Sequence, residues 1–261
     1  MSILDATRRY YSDLNSETQK IANSLCANGN ATESLLRLIN AIYTSAKVEQ
    51  EFKDPHFECA YHSPVTGQVE FAISRILYYV SQIKKLDWVV YLRRQIDGNA
   101  PDIRVECNGK TLMIIEIKTK AGWIQSFFSK EMYQHQLERF KGNKTSRDPD
   151  EQIRGLKSQI DKYLATFAIP KDNLYYLLPT LTHVHRKKFT TKISDYHMYF
   201  EKTSGLPAKQ LILMSENLRL NLDSEIHNEK IAATNDFEIM VKRTVAQSAN
   251  ANHLAVKNSA L

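Results

Sequence analysis

The stretch Pro101-Asp-Ile-Arg-Val-Glu-Cys-Asn-Gly-Lys-Thr-Leu-Met-Ile-Ile-Glu-Ile-Lys118 decides the fold. Two runs rich in β-branched and apolar residues, 103–107 and 112–119, flank Asn108-Gly109, which predicts an antiparallel hairpin. Successive side chains on a strand leave opposite faces, so Glu116 and Lys118 share one face. Two registers compete. A two-residue turn at Asn108-Gly109 would set Asp102 opposite Ile115 and away from Glu116. A three-residue loop, 108–110, pairs Cys107 with Thr111 and sets Asp102 directly opposite Glu116. Only the second gathers Ile103, Val105, Met113, Ile115 and Ile117 on one apolar face. The first scatters them and buries polar groups without partners, so the hydrophobic pattern selects the longer loop.

Working outward, 69–86 reads as a helix with Phe71, Ile73, Ile76, Leu77 and Val80 on its apolar face, and 88–93 as a strand. Residues 3–51 carry a helical pattern (Ile21, Leu25, Leu35, Leu38, Ile39, Ile42) broken at Asn28-Gly29-Asn30. A helical hairpin is expected there, with N-cap candidates at Ser16, paired with Gln19, and at Thr32. Downstream, helices are expected over 130–140 and 149–167, joined by an exposed polar loop at 141–148. Strands follow at 174–179 and 210–214, then a closing helix over 223–245 and a frayed tail at 248–261. No internal repeat is visible. The order describes an α/β fold, a mixed central sheet flanked by helices. The expected division is an N-terminal helical extension at 1–53, a core at 54–247 and the tail.

A chain of 261 residues can bury one substantial core, and 43% hydrophobic with 25% charged residues exclude global disorder. The formal net charge of +6 favours anionic partners, since clustered cations concentrate polyanions nearby. Cys26, Cys59 and Cys107 form no CxxC pair, so neither a disulfide framework nor a zinc knuckle is indicated. The first ten residues include Asp5, Arg8 and Arg9 and no long apolar run, so a cytoplasmic protein without export or membrane insertion is expected.

A carboxylate beside an amine on one strand face suits metal-dependent phosphodiester cleavage. The first holds the cation, and the second orients or deprotonates water or steadies developing negative charge. Asp102 supplies the second carboxylate in the longer-loop register. Pro101-Asp102, one hairpin, then Glu116-Ile117-Lys118 resemble the signature of the PD-(D/E)XK nuclease superfamily. The resemblance runs from about Glu70 to Met214 and implies a restriction-endonuclease-like core. It also implies that Asp102, Glu116 and the backbone carbonyl of Ile117 ligate Mg2+ or Mn2+, and that Lys118 is catalytic. Glu70, opening the helix before the first strand, matches a position where such proteins often carry a further acidic metal ligand.

Gln159-Ile-Asp-Lys-Tyr163 is similar to the Gln-x-x-x-Tyr element of the RecB-like branch, which implies that Gln159 and Tyr163 position DNA; Lys120 is expected to join them on the nucleic acid. Gln159 lies farther beyond Lys118 than is usual in that branch, and Gln136 is a rival for its role. Leu174-Tyr-Tyr-Leu-Leu-Pro-Thr180 is similar to the next strand of stand-alone bacterial members.

The resemblance thus implies a magnesium-dependent (endo)deoxyribonuclease, with DNA favoured over RNA, a setting in restriction or phage defence, and room for a homodimer. A catalytically inactive nucleic-acid-binding module of the same fold is the alternative. Other features stay open. His183 and His185 with Arg186, Lys187 and Lys188 read as a solvated basic edge or a phosphate site. Trp123, Phe127 and Phe128 read as core, lid or base-stacking groups. Arg139, Lys141, Lys144 and Arg147 read as a solvated loop or a backbone track.

Overall fold

The computed structural model describes residues 2–46, 65–118, 149–179, 193–216 and 231–258. Three helices come first, α1 (Ile3–Cys26), α2 (Ala31–Ala46) and α3 (Thr66–Lys84). Three strands follow, β1 (Trp88–Leu92), β2 (Ile103–Cys107) and β3 (Lys110–Ile117). The order then runs α4 (Pro149–Phe167), β4 (Leu174–Leu178), α5 (Ile193–Ser204), β5 (Leu211–Leu213) and α6 (Asp236–Asn258). The expected helix at 130–140, the loop at 141–148, Cys59, and the whole segment from Lys187 back to His183 lie outside the described residues.

The five strands form one mixed sheet in the order β1-β2-β3-β4-β5. β1, β2 and β3 are mutually antiparallel neighbours, whereas β4 and β5 join in parallel. That change of direction follows from connection length. The hairpin needs two residues, but reaching β4 in parallel needs a long crossover, which α4 belongs to.

Helices cover both faces. Ile103, Val105, Met113, Ile115 and Ile117 share one buried cluster with Leu35 and Ile39 of α2, Ile73 and Leu77 of α3, and Phe237 and Met240 of α6. Ile114, Tyr176 and Leu178 point the other way, into a second cluster with Leu156, Ile160, Tyr163 and Phe167 of α4 and Tyr196 and Phe200 of α5. Strict alternation along β3 therefore sorts residues between two cores, and Glu116 falls on the α4 side.

The hairpin turn differs from the expected three-residue loop. Cys107 pairs with Lys110, leaving Asn108 and Gly109 as a two-residue turn with φ of 52° and 70°. Such left-handed pairs match the twist of the flanking strands, which is why Asn-Gly wins locally. The register nevertheless shifts by one residue between Val105 and Glu106, so that Val105 pairs with Met113 and Ile103 with Ile115. Leu112 is the extra residue. This β-bulge restores the pairing that the hydrophobic pattern demands and carries Asp102 opposite Glu116.

Helix boundaries also differ. α1 begins after Ser2 rather than at Ser16: the Ser2 hydroxyl accepts the Asp5 N–H at 3.1 Å, and the Asp5 carboxylate accepts the Ser2 N–H at 3.2 Å. This reciprocal pair satisfies two otherwise orphaned donors. Thr32 sits inside the first turn of α2, and both its N–H (2.8 Å) and its hydroxyl donate to the buried Glu238 of α6. α6 starts at Asp236 rather than near 223, because Ala233 forms a β-bridge with Ser215 just before it. It continues through residues expected to fray. Ser248 is fully buried and accepts the Trp88 indole N–H at 2.6 Å, fastening α6 to the edge strand.

No described helix is long and apolar enough to cross a membrane. Cys26 and Cys107 are free thiols.

Candidate active site

Asp102 precedes β2, and Glu116 and Lys118 stand at the far end of β3, so the hairpin brings all three to one end of the sheet. Ile103 pairs with Ile115, and the next step of that register puts Asp102 beside Glu116. The Asp102 N–H points to Glu116 Oε1 across a long 3.4 Å, and Asp102 Oδ2 accepts the Ile117 N–H at 2.7 Å. Ile117 thus touches Asp102 through its amide; the carbonyl role that the resemblance implies is a separate matter. Lys118 Nζ donates to Glu116 Oε2 at 3.0 Å, as expected for side chains two residues apart on one strand face.

α4 supplies the roof. Leu156, Ile160, Tyr163 and Phe167 recur at helical spacing and bury one face of α4 against the sheet. That anchoring places Gln159 and Tyr163, one turn apart, over Glu116. The Tyr163 hydroxyl donates to Glu116 Oε1 at 2.7 Å, and Gln159 Nε2 donates to Glu116 Oε2 at 3.3 Å and to the Tyr163 oxygen at 3.1 Å. From β4, the buried Tyr176, which pairs with Glu116 in the sheet, donates its hydroxyl to Gln159 Oε1 at 3.2 Å. Glu116 is 2% exposed, so these donors replace the water that its carboxylate lost on folding.

Charge is less evenly settled on Asp102. Burial, followed by the neighbouring carboxylates of Glu116 and Glu70, pushes its pKa up to about 7, against the Ile117 N–H and Lys118, which favour the ionised form. Tyr163 is held well above the ordinary phenol range by burial first and by Glu116 second, so it stays a hydrogen-bond donor at all working pH values. Burial does the same to Tyr176. Asp102 is therefore the acid of the site that most resists ionisation.

No family model, curated protein or solved structure matches this chain. The chemistry of the site therefore rests on its own residues. Asp102 and Glu116 offer an all-oxygen donor pair, the kind that suits hard divalent cations, and the raised pKa of Asp102 marks a place where added positive charge would be stabilising. The donor set fits such an ion. Among the described residues, however, no group of three or more His, Cys, Asp or Glu converges with cation-holding geometry.

The other expected participants divide. Glu70, buried in the second turn of α3, influences Asp102 electrostatically, yet its Oε2 accepts a hydrogen bond from Arg93 Nε. Lys120, Gln136, Trp123, Phe127, Phe128, Arg139, Lys141, Lys144, Arg147, His183 and His185 lie outside the described residues. A recess of about 430 Å³ between the α1–α2 turn and α6 shares no residue with the site.

Three contributors escaped sequence reasoning. Arg93 has no motif to mark it, and Tyr176 lies in the 174–180 stretch without a role of its own there, though a Tyr directly across from Glu116 follows once the β3–β4 register is known. Arg104, two residues beyond Asp102, is 2% exposed. Its guanidinium lies 4.2 Å from the Tyr91 ring centroid and 5.4 Å from that of Phe167, and it pairs with Glu106. A buried cation placed in this way is compensated by ring quadrupoles as well as by a carboxylate.

Proposed function

We propose that this chain is a magnesium-dependent nuclease that hydrolyses phosphodiester bonds in DNA, built on a restriction-endonuclease-like core with N-terminal helices appended. The observation that carries the reading is the convergence of Asp102, Glu116 and Lys118 at one end of the β2–β3 hairpin, with Gln159 and Tyr163 closing on the same carboxylate. A Mg2+ or Mn2+ ion bound there would supply Lewis acidity toward phosphoryl oxygen and make water more acidic. Asp102 and Glu116 would hold it.

The remaining roles belong to the chain itself. Lys118, whose Nζ donates to Glu116, would orient the attacking water or balance charge gathering on phosphorus-bound oxygen. Tyr163, Gln159 and Tyr176 hold the Glu116 carboxylate in one orientation, so that little reorganisation is left for the chemical step. The net charge of +6 favours capture of a polyanion. The proposed setting is cytoplasmic defence against foreign DNA, and a homodimer would suit double-strand cutting.

The test is a cleavage panel of plasmid, single-stranded DNA and RNA with and without Mg2+, alongside Glu116→Ala and Lys118→Ala. Metal-dependent cleavage of DNA, reduced at least about 100-fold in each variant, is expected. Undiminished cleavage by the folded variants would remove the mechanism.

One observation favours the alternative, a nucleic-acid-binding module that cuts nothing. Both oxygens of Glu116 already accept hydrogen bonds from protein donors, an arrangement that also serves simply to bury a carboxylate. Salt-sensitive DNA binding without cleavage under any metal would select that reading.

A further inference from the structure

We infer that Arg93 is the resident counter-cation of this site, holding Glu70 while no divalent ion is bound and releasing that carboxylate to the ion when Asp102 and Glu116 take one up. The inference rests on the cation-dependent reading proposed above and adds a residue that no motif marks.

Arg93 follows directly on β1, and its backbone is turned into the left-handed region, with φ of 50°. A residue with a Cβ seldom sits there without a reason. Its own N–H donates to the Asp102 carbonyl at 3.0 Å, so the end of β1 is locked to the residue that begins the site. From that bend the side chain crosses to α3, where Nε donates to Glu70 Oε2.

The passage is open because position 67 has no side chain. A Cβ at Gly67 would lie 2.6 Å from Arg93 Nη2. The helix thus presents a bare backbone one turn before Glu70, and the guanidinium occupies that space. Gly67, Glu70 and the bend at Arg93 act together as one seat.

What makes the seat exchangeable is its asymmetry. The Glu70 side chain is 5% exposed, whereas that of Arg93 is 50% exposed. The guanidinium can swing into water at little desolvation cost, but the buried carboxylate cannot leave and needs another cation in its place. Electrostatics names the recipient, because Glu70 and Glu116 both act unfavourably on Asp102. Only Lys118, on Glu116, and Arg93, on Glu70, offset the three acids through direct ion pairs among the described residues. While Arg93 holds Glu70, that carboxylate is paired with the guanidinium, and among the described residues no group of three cation-holding side chains converges.

Mn2+ binding by isothermal titration calorimetry, together with thermal denaturation with and without Mn2+, tests this on the full chain. Arg93→Gln is expected to bind Mn2+ about tenfold more tightly and to lose thermal stability only when Mn2+ is absent. Gly67→Ala should raise Mn2+ affinity in weaker form, since its Cβ crowds Arg93 Nη2 while leaving every carboxylate in place. Arg93→Lys should stay near wild type. The gain should vanish in Arg93→Gln combined with Glu70→Gln.

Affinity of Arg93→Gln and Gly67→Ala within twofold of wild type, or a gain that survives loss of Glu70, would overturn the inference while leaving the cation site itself intact. Should Arg93→Gln not fold, Gly67→Ala decides alone. No Mn2+ uptake by the wild-type chain would instead overturn the cation-dependent reading, and this inference with it.

Discussion

Asp102 is the residue at which burial and repulsion act most strongly against ionisation. Its pKa near 7 lies above the ordinary carboxyl value of 3.8, so the folded chain holds this proton more tightly than the unfolded chain does. The contribution of Asp102 to stability must then fall as pH rises from about 4 to about 7 and level off above that. Asp102→Asn keeps an oxygen to accept the Ile117 N–H and removes the charge. In the metal-free protein it should add on the order of 2 kcal/mol at about pH 8 and nothing at about pH 4, an amount discounted from the full shift for partial solvent access. Urea denaturation at the two pH values checks this; a metal-free variant less stable than wild type at the higher pH would contradict it. At this scale Asp102, Glu116 and Lys118 were legible in sequence because spacing on a strand fixes which side chains share a face. Gln159 and Tyr163 were legible only through a family motif. Arg93, Arg104 and Tyr176 were not, since their partners lie on other elements and no local pattern encodes them.

The β2–β3 hairpin shows how two signals can disagree and both be right. Asn108-Gly109 favours a two-residue turn, while the apolar pattern favours a register one residue longer, and the bulge at Leu112 accommodates both. Turn chemistry and packing act at different points of one element, so a choice between two regular hairpins could not have found the bulge. A division of labour follows. Gly109, at φ of 70°, should lose about 1–2 kcal/mol on substitution by Val, because a β-branched residue is strained in the left-handed region. Mn2+ affinity should stay unchanged, since the pairing of Ile103 with Ile115 sets where Asp102 lies. Deleting Leu112 should leave the site intact as well: with the extra residue gone, pairing runs continuously from Cys107 and Lys110 through Glu106 with Thr111 and Val105 with Met113, and Asp102 still lies opposite Glu116. Calorimetry on the two variants checks both expectations, and a loss of Mn2+ affinity in either would contradict the assignment. Helix ends were least legible, because a non-local contact such as Thr32 with Glu238 outweighs a local capping pattern.

Across the whole molecule, the N-terminal helices look separable in sequence, broken off by Asn28-Gly29-Asn30 and by the prolines of Asp54-Pro55 and Ser63-Pro64. Packing argues otherwise. Leu35, Leu36 and Ile39 are fully buried in the cluster that also holds Ile73 and Leu77 of α3 and the inward face of the β2–β3 hairpin, and Glu238 of α6 fastens the start of α2. The face of the sheet opposite the site is therefore covered by chain ends that meet only in the folded state, α2 from one end and α6 from the other. Such an arrangement should unfold as one cooperative unit, with the N-terminal helices as essential as the strands. Ile39→Ala should cost about 2–4 kcal/mol, the range for emptying a packed core position. Removing residues 1–46 should leave a chain without a cooperative thermal transition, because it would expose Ile73, Ile76 and Leu77 to water along one continuous face. Calorimetric scans of the full-length and truncated chains decide the matter. A truncated protein that melts sharply near the wild-type temperature would mean that α1 and α2 only decorate an independent core. Loss of the transition would mean that the carboxylates of the site are held in place from the far side of the sheet.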